Sequence, residues 1–359
     1  MIEDFLKSER KAINNEIETY FIQLNQKEGT LLFNDFINEF KKFVINDNAK
    51  RLHPELLITA FNGIINPRYL QGQRTNIRRV SLSIELLHTG RLIQDDLIDD
   101  DKIRRNSLTF HYQLREGMKD LFESKETDQK NSDLDLYGKN IGLLGGPYSY
   151  ILGLNIIKDS NFPEKLKLMA IEEYTKATNS LLKGLITEEY LNSHNILMSI
   201  EQYLDIAELV RASLFEKAAK IGAILAKGNV HYQIEPLSKA MRKIGQAYAI
   251  TDDILDVRKD IKAKNKNKFP YILALNKVDE NQTSFLKEVY NKETRDENDI
   301  ETVYNIFTDT NAIRIAKQFA MNLIAEGKQA LEKIYPDLNK DQKEFFNEFA
   351  DYTVNRVNK

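Results

Sequence analysis

Apolar residues recur at intervals of three and four over long stretches of this chain, and little interrupts them. Only 15 glycines and 7 prolines punctuate 359 residues. Leu204, Ala207, Leu214, Ala218, Ile221 and Leu225 approximate one such stripe, and Leu323, Ile324, Ala330, Leu331 and Ile334 another. That period puts side chains on one face of an α-helix, whereas a half-buried strand alternates every second residue. The expectation is an all-α bundle of long helices. No repeat of fixed period is present, and no stretch has the composition of a flexible linker, so residues 1–359 are read as one domain.

Three polar segments read as exposed connections. Residues 119–140 contain Glu123-Ser-Lys-Glu-Thr-Asp-Gln-Lys-Asn-Ser-Asp, too polar to pack, and are read as a polar insertion. Lys259 to Lys268 alternates Lys with Asp and Asn before Pro270, and Asp296-Glu-Asn-Asp reads as a turn. The longest uncharged run, Ile141 to Ile157, is shorter than the ~20 apolar residues that span a bilayer, so it is read as a buried helix with its approach and not as a transmembrane segment. The N-terminal residues lack a basic region followed by an apolar core, which argues for a cytoplasmic protein. A net charge of −3 gives no global field for nucleic acid. With no cysteine, disulfides and thiolate metal sites are excluded.

Two apolar stretches end in aspartates at the same spacing. Asp95, Asp96 and Asp99 close the first, and Asp252, Asp253 and Asp256 close the second. Residues four apart lie on one helical face, where like charges repel. A helix C-terminus disfavours anions as well. Deleting one acid should therefore leave apo stability unchanged or raised, and a cation should offset both terms in the working protein. Oxygen-only ligands suit Mg²⁺, which takes one or two carboxylates and completes its shell with water and substrate phosphate. One such motif is an ordinary solvated helix end; two together suggest a group of Mg²⁺ ions holding a diphosphate. Arg104-Arg105 follow the first cluster and Lys50-Arg51-Leu-His53-Pro54 precedes it. Guanidinium forks and ammonium groups suit phosphate oxygens.

These elements resemble those of trans-isoprenyl diphosphate synthases. Glu85-Leu-Leu-His88-Thr, Asp95-Asp96-Leu-Ile-Asp99 through Arg104-Arg105-Asn-Ser-Leu-Thr109 and His111 is similar to their first aspartate-rich region. Asp252-Asp253-Ile-Leu-Asp256 is similar to the second, and Asn265-Lys266-Asn-Lys-Phe-Pro270 to the Gly-Lys-x-Thr-x-Pro that follows it. Lys50-Arg51-Leu-His53-Pro54 resembles a Gly-Lys-Arg-x-Arg-Pro element, and Ala350 to Arg356 the C-terminal helix. The resemblance implies helices around a deep apolar cavity, a homodimer, and condensation of an allylic diphosphate with isopentenyl diphosphate. It implies Mg²⁺ and the allylic diphosphate on the six aspartates, assisted by Arg104, Arg211 and Lys266. Lys50, His53, His88 and Arg105 would hold isopentenyl diphosphate.

The pattern is departed from in several places. His53 stands for an Arg, Arg211-Ala212 for a Lys-Thr pair, and Ala249 for a Gln; Asn106 and Leu108 stand for Gly and Pro, and Gly145-Gly146-Pro147 lacks an expected Asp. A class I terpene cyclase would use the same metals without a second diphosphate, but Lys50, His88 and Arg105 argue against it. A binding subunit of a hetero-oligomeric prenyl synthase would lose the acids, which are kept. The bland alternative is a helical scaffold with acidic patches. Arg91, four before Asp95, is expected either to pair with Glu85, Asp95 or another carboxylate or, as part of such a pair, to floor the product cavity and hold products near C15–C20.

Overall fold

The fold is known as a computed structural model, which describes residues 2–28, 30–46, 48–119, 127–263 and 265–358. The periodic stretches are helices, as expected. They divide between two compact units, Met1–Thr178 with Ile221–Lys227, and Asn179–Lys220 with Gly228–Lys359.

The chain opens with α1 (Ile2–Glu28), α2 (Leu31–Val44), α3 (Leu52–Ile64) and α4 (Pro67–Ile98). Asn66 caps α4, accepting from the Arg68 N–H, and Pro67 sits in its first turn, where no amide partner is lost. A short hairpin follows, β1 (Ile103–Arg104) pairing antiparallel with β2 (Ser107–Leu108), and then α5 (Phe110–Gly117) and α6 (Thr127–Lys158). Ile13, Ile17 and Phe21 of α1, Ile37 and Phe40 of α2, Leu82, Leu86 and Ile93 of α4, and Phe110 of α5 form one buried core. The seam between α4 and α6 is close. A Cβ on Gly90 would lie 2.8 Å from the Gly146 carbonyl oxygen, so the site needs glycine for backbone approach.

The segment read as a polar loop is largely helical, since α6 begins at Thr127; residues 120–126 lie outside the described residues. Burial of Leu134 and Gly138, seven and three residues before half-buried Ile141, anchors this polar stretch, and Asp135 pairs with Arg115 at 2.5 Å. The apolar run beyond it is helical through Gly145 and Pro147, but not wholly buried: Leu143, Leu144 and Ile151 are exposed.

Next come α7 (Glu164–Ser193), α8 (Ile200–Ala207) and α9 (Ser213–Leu225), with a π-helical turn at Glu208–Ala212 between the last two. Two of the unit boundaries fall inside α7 and α9, and the third follows Lys227, just beyond α9. The second unit continues with α10 (Glu235–Leu255), α11 (Val257–Lys262), α12 (Phe269–Leu275), α13 (Glu280–Asn291), α14 (Glu297–Asp309), α15 (Ala312–Leu331) and α16 (Lys340–Asn355). Part of the expected connection at Lys259 to Lys268 is thus the end of α11. The other expected turn, Asp296-Glu-Asn-Asp, is instead the start of α14, with Asp296 as N-cap in a capping box with Asp299. Buried α10 is the spine of this unit, approached by α15 at Gly327 and by the π-turn at Gly245, where a Cβ would lie 2.6 Å from Ala212 Cα. Among the described residues no helix is long and apolar enough to cross a membrane.

Candidate active site

In the first unit the acids arrive on the last turns of α4. Asp99 caps that helix, its N–H donating to the Asp95 carbonyl at 2.9 Å. Asp95 is mostly buried and pairs with Arg91, one turn back, at 2.8 Å. Arg91 is thus paired with Asp95, one of the partners expected for it, while Glu85 turns elsewhere. Asp96 is fully buried. Its Oδ1 accepts from Arg104 Nε at 2.5 Å, and its Oδ2 has no hydrogen-bond partner. Burial raises its pKa to about 7, an effect that Arg104 only partly offsets. Asp99 is exposed.

The hairpin places Arg104 and Arg105 beside this helix end. Arg105 and Asn106 form its tip with φ of 53° and 60°. Two consecutive left-handed residues are what a two-residue type I′ turn demands. Asn tolerates that conformation, but Arg pays roughly 1 kcal/mol or more, a strain of the kind found at functional sites. Asn48 Nδ2 donates to the Arg105 carbonyl at 3.0 Å and fixes the tip against the α2–α3 connection.

A basic group lies next to it. His53, buried in the first turn of α3, meets His88 of α4 with ring centroids 4.5 Å apart. Arg51 is buried with φ 57°; it donates to Asn14 Oδ1 at 2.9 Å and to the Val44 carbonyl at 2.7 Å, and forms a buried ion pair with Glu85. Burial alone would raise the Glu85 pKa, but the charges of Arg51, Arg105 and His53 outweigh it and hold the carboxyl below its ordinary range. Lys50 is exposed at the start of the same segment. The structure therefore brings His53, His88 and Arg105 around one buried carboxylate. The organising pair, Arg51 and Glu85, stood inside the recognised motifs without an assigned role.

In the second unit the acids end α10 in the same way: Asp256 caps it, donating its N–H to the Asp252 carbonyl at 2.9 Å. Asp252 Oδ1 accepts from Arg356 Nη1 at 2.7 Å. That guanidinium also donates to the Tyr248 carbonyl at 2.7 Å and lies 3.6 Å over the Tyr248 ring. Asp253 is buried and accepts from Tyr203 Oη at 2.7 Å and from the Phe269 N–H at 2.9 Å, with Lys268 Nζ 3.5 Å away. Asp256 is exposed.

The lysines are arranged differently from expectation. Lys266 donates to Asn195 Oδ1 at 3.0 Å, toward the α7–α8 connection. Lys268, two residues on in extended backbone, faces Asp253 and Asp260 instead, and Asp253 raises its pKa. Arg211 rides the π-helical turn and, with Tyr203, Ala249, Asn267 and Lys268, lines a small cavity beside Asp253. Ala249 opens room there that a longer side chain would fill. Tyr203, Lys268 and Arg356 were not singled out from sequence as site residues, although Lys268 and Arg356 stood inside recognised motifs.

Among the described residues no three carboxylate or imidazole groups converge closely enough to enclose an ion on their own. The donor set is nevertheless that of a hard cation. Asp96 presents an unpartnered buried oxygen, Asp95 and Asp99 flank it, and all are carboxylates. This first cluster fits Mg²⁺ shared with phosphate oxygens. In the second cluster Asp253 is occupied by three protein donors and Asp252 Oδ1 by Arg356, while Asp256 is exposed.

The sequence profile of a family described as polyprenyl synthetase matches residues 34–307. A geranylfarnesyl diphosphate synthase of Natronomonas pharaonis is 22% identical, the alignment covering 97% of this chain and 96% of that protein. A short chain isoprenyl diphosphate synthase of Methanocaldococcus jannaschii is 24% identical over 98% of this chain and 96% of its own. Among solved structures, a geranylgeranyl pyrophosphate synthase of Corynebacterium glutamicum, complexed with isoprenyl diphosphate and magnesium, superposes with a TM-score of 0.83 at 19% identity, covering 96% of this chain and 98% of that one.

Proposed function

The chain belongs to the polyprenyl synthetase family, and from that premise we propose that this prenyltransferase condenses an allylic diphosphate with isopentenyl diphosphate. The observation that carries the proposal is Asp96: a fully buried carboxyl with one oxygen on Arg104 and the other without a partner, held to a pKa of about 7. Such a group is stabilised by an arriving cation.

Asp95, Asp96 and Asp99 of the first unit would hold Mg²⁺, as would Asp252 and Asp256 of the second, and the ion would supply positive charge for the diphosphate leaving group. Asp253 would serve the cluster by fixing the end of α10. Arg104, Arg211 and Lys268 bind the allylic diphosphate oxygens and stabilise the charge that develops on them; Lys266 joins them if it leaves Asn195. His53, His88, Arg105 and Lys50 grip the isopentenyl diphosphate, whose double bond attacks the cation before a proton is lost. Such a cation requires a site from which water is excluded.

The family match draws on both units, which supports treating the chain as one catalytic domain. The finer product assignment widens from C15–C20 to C15–C25, because the relatives named include a geranylfarnesyl diphosphate synthase. Leu136, Leu143, Leu144 and Ile151 form an exposed apolar stripe on α6, and this supports a homodimer. The test is prenyl transfer by wild type and Asp96→Asn, with Mg²⁺ and with a chelator. Turnover should require both the ion and the carboxylate; undiminished turnover by Asp96→Asn would remove the first cluster from the mechanism.

A further inference from the structure

Arg91 is a cation built into the first aspartate cluster. Its side chain is 4% exposed, and its Nη2 lies 2.8 Å from Asp95 Oδ2. It sits inside α4 where that helix meets α6: a Cβ on Gly90 would lie within 2.8 Å of the Tyr150 ring and the Gly146 carbonyl oxygen, and Tyr150 donates to Gln94 at 2.5 Å. The charge of Arg91 reaches the Tyr150 hydroxyl, as does that of Asp95. Arg91 is therefore packed in place, unlike Arg104, which reaches Asp96 from the hairpin with 26% side-chain exposure. Two of the three carboxylates thus carry a guanidinium before any metal arrives.

A divalent ion approaching Asp95 must share that carboxylate with a fixed positive charge. A diphosphate supplies the negative charge that the guanidinium has already neutralised. We propose that Arg91 suppresses binding of free divalent cations at Asp95, Asp96 and Asp99, so that cation and diphosphate enter this site together. The inference rests on the metal-binding reading above and extends it to a residue with no part in the chemistry; Arg91 is a positioning residue acting through Asp95.

The full chain is titrated with Mn²⁺ alone, followed by electron paramagnetic resonance, for wild type, Arg91→Gln and Arg91→Lys. Even at the dielectric of bulk water, about 80, removing one charge roughly 6–7 Å from a divalent ion should tighten binding about tenfold, and the mostly buried surroundings of Arg91 and Asp95 make that a lower bound. Arg91→Gln, which keeps a hydrogen-bond donor, should show that gain, and Arg91→Lys should remain near wild type. With inorganic pyrophosphate present the three proteins should take up Mn²⁺ to similar extents. Thermal melts check that each variant is folded, and Arg91→Leu serves as a second neutral variant. Equal Mn²⁺ affinity in wild type and both neutral variants overturns the inference while leaving the metal site intact. Absence of Mn²⁺ binding in every protein, even with pyrophosphate, overturns the metal site and the inference with it.

Discussion

Glu55→Gln should make this protein more stable, and increasingly so as pH rises. Glu55 lies in the first turn of α3 at 2% exposure. Its Oε1 accepts from Thr59 at 3.2 Å, and its Oε2 has no hydrogen-bond partner. Burial, reinforced by Glu9 of α1, raises its pKa from 4.5 to about 8, with Thr59 and Arg78 of α4 opposing. The folded state therefore keeps a proton that the unfolded state gives up above pH 4.5. Stability falls with pH wherever the folded state binds more protons. The contribution of Glu55 is full below pH 4.5, declines through the neutral range and is lost once pH passes about 8. At 1.36 kcal/mol for each pH unit of separation, the loss between pH ~5.5 and ~8.5 is on the order of 3 kcal/mol. Glutamine has similar shape and does not titrate. Urea denaturation of both proteins at those two pH values isolates this residue, because every other titrating group cancels. The stability advantage of Glu55→Gln should grow by about 3 kcal/mol from the lower pH to the higher. A difference independent of pH would show that Glu55 is not a buried, proton-holding carboxyl.

Three further outcomes follow from the site. Asp95→Ala and Asp252→Ala should each abolish Mg²⁺-dependent turnover and also cost roughly 1–3 kcal/mol in apo stability, read from denaturant midpoints, because each strips a mostly buried guanidinium of its carboxylate; retained turnover in both would oppose the metal assignment. His53→Arg should lower KM for isopentenyl diphosphate, because a guanidinium is a permanent cation with a fork of donors for phosphate oxygens; an unchanged KM would move that substrate away from His53. Arg91→Ala should lengthen the products seen by mass spectrometry if the Arg91–Asp95 pair floors the product cavity, and an unaltered distribution assigns chain length to other helices.

The bundle was legible because burial along an α-helix repeats at three and four, and the stripes at Leu204–Leu225 and Leu323–Leu331 follow that rule, whereas Ile334 is buried beyond the end of α15. The aspartates were legible because Asp95 and Asp99, like Asp252 and Asp256, share a helical face whatever surrounds them. What surrounds them was not. Arg356 reaches Asp252 from 104 residues away, and no local pattern announces such a pair. Crowded acids alone suggest that deleting one relieves repulsion; the partners found for Asp95 and Asp252 reverse that sign. Lys268 in place of Lys266 depends on the path of the segment between α11 and α12, which spacing does not fix. The start of α6 was missed because its few apolar anchors are diluted by charge, and the strained tip at Arg105 was missed because Arg carries no preference for positive φ.

The central claim is coupling of two diphosphates, and product identity tests it most directly. The protein is incubated with Mg²⁺ and geranyl or farnesyl diphosphate, with and without isopentenyl diphosphate, and the products are identified by mass spectrometry. Longer all-trans diphosphates, formed only when isopentenyl diphosphate and Mg²⁺ are both present, are the predicted result. Consumption of the allylic diphosphate alone to hydrocarbon or alcohol, with isopentenyl diphosphate ignored, would contradict it.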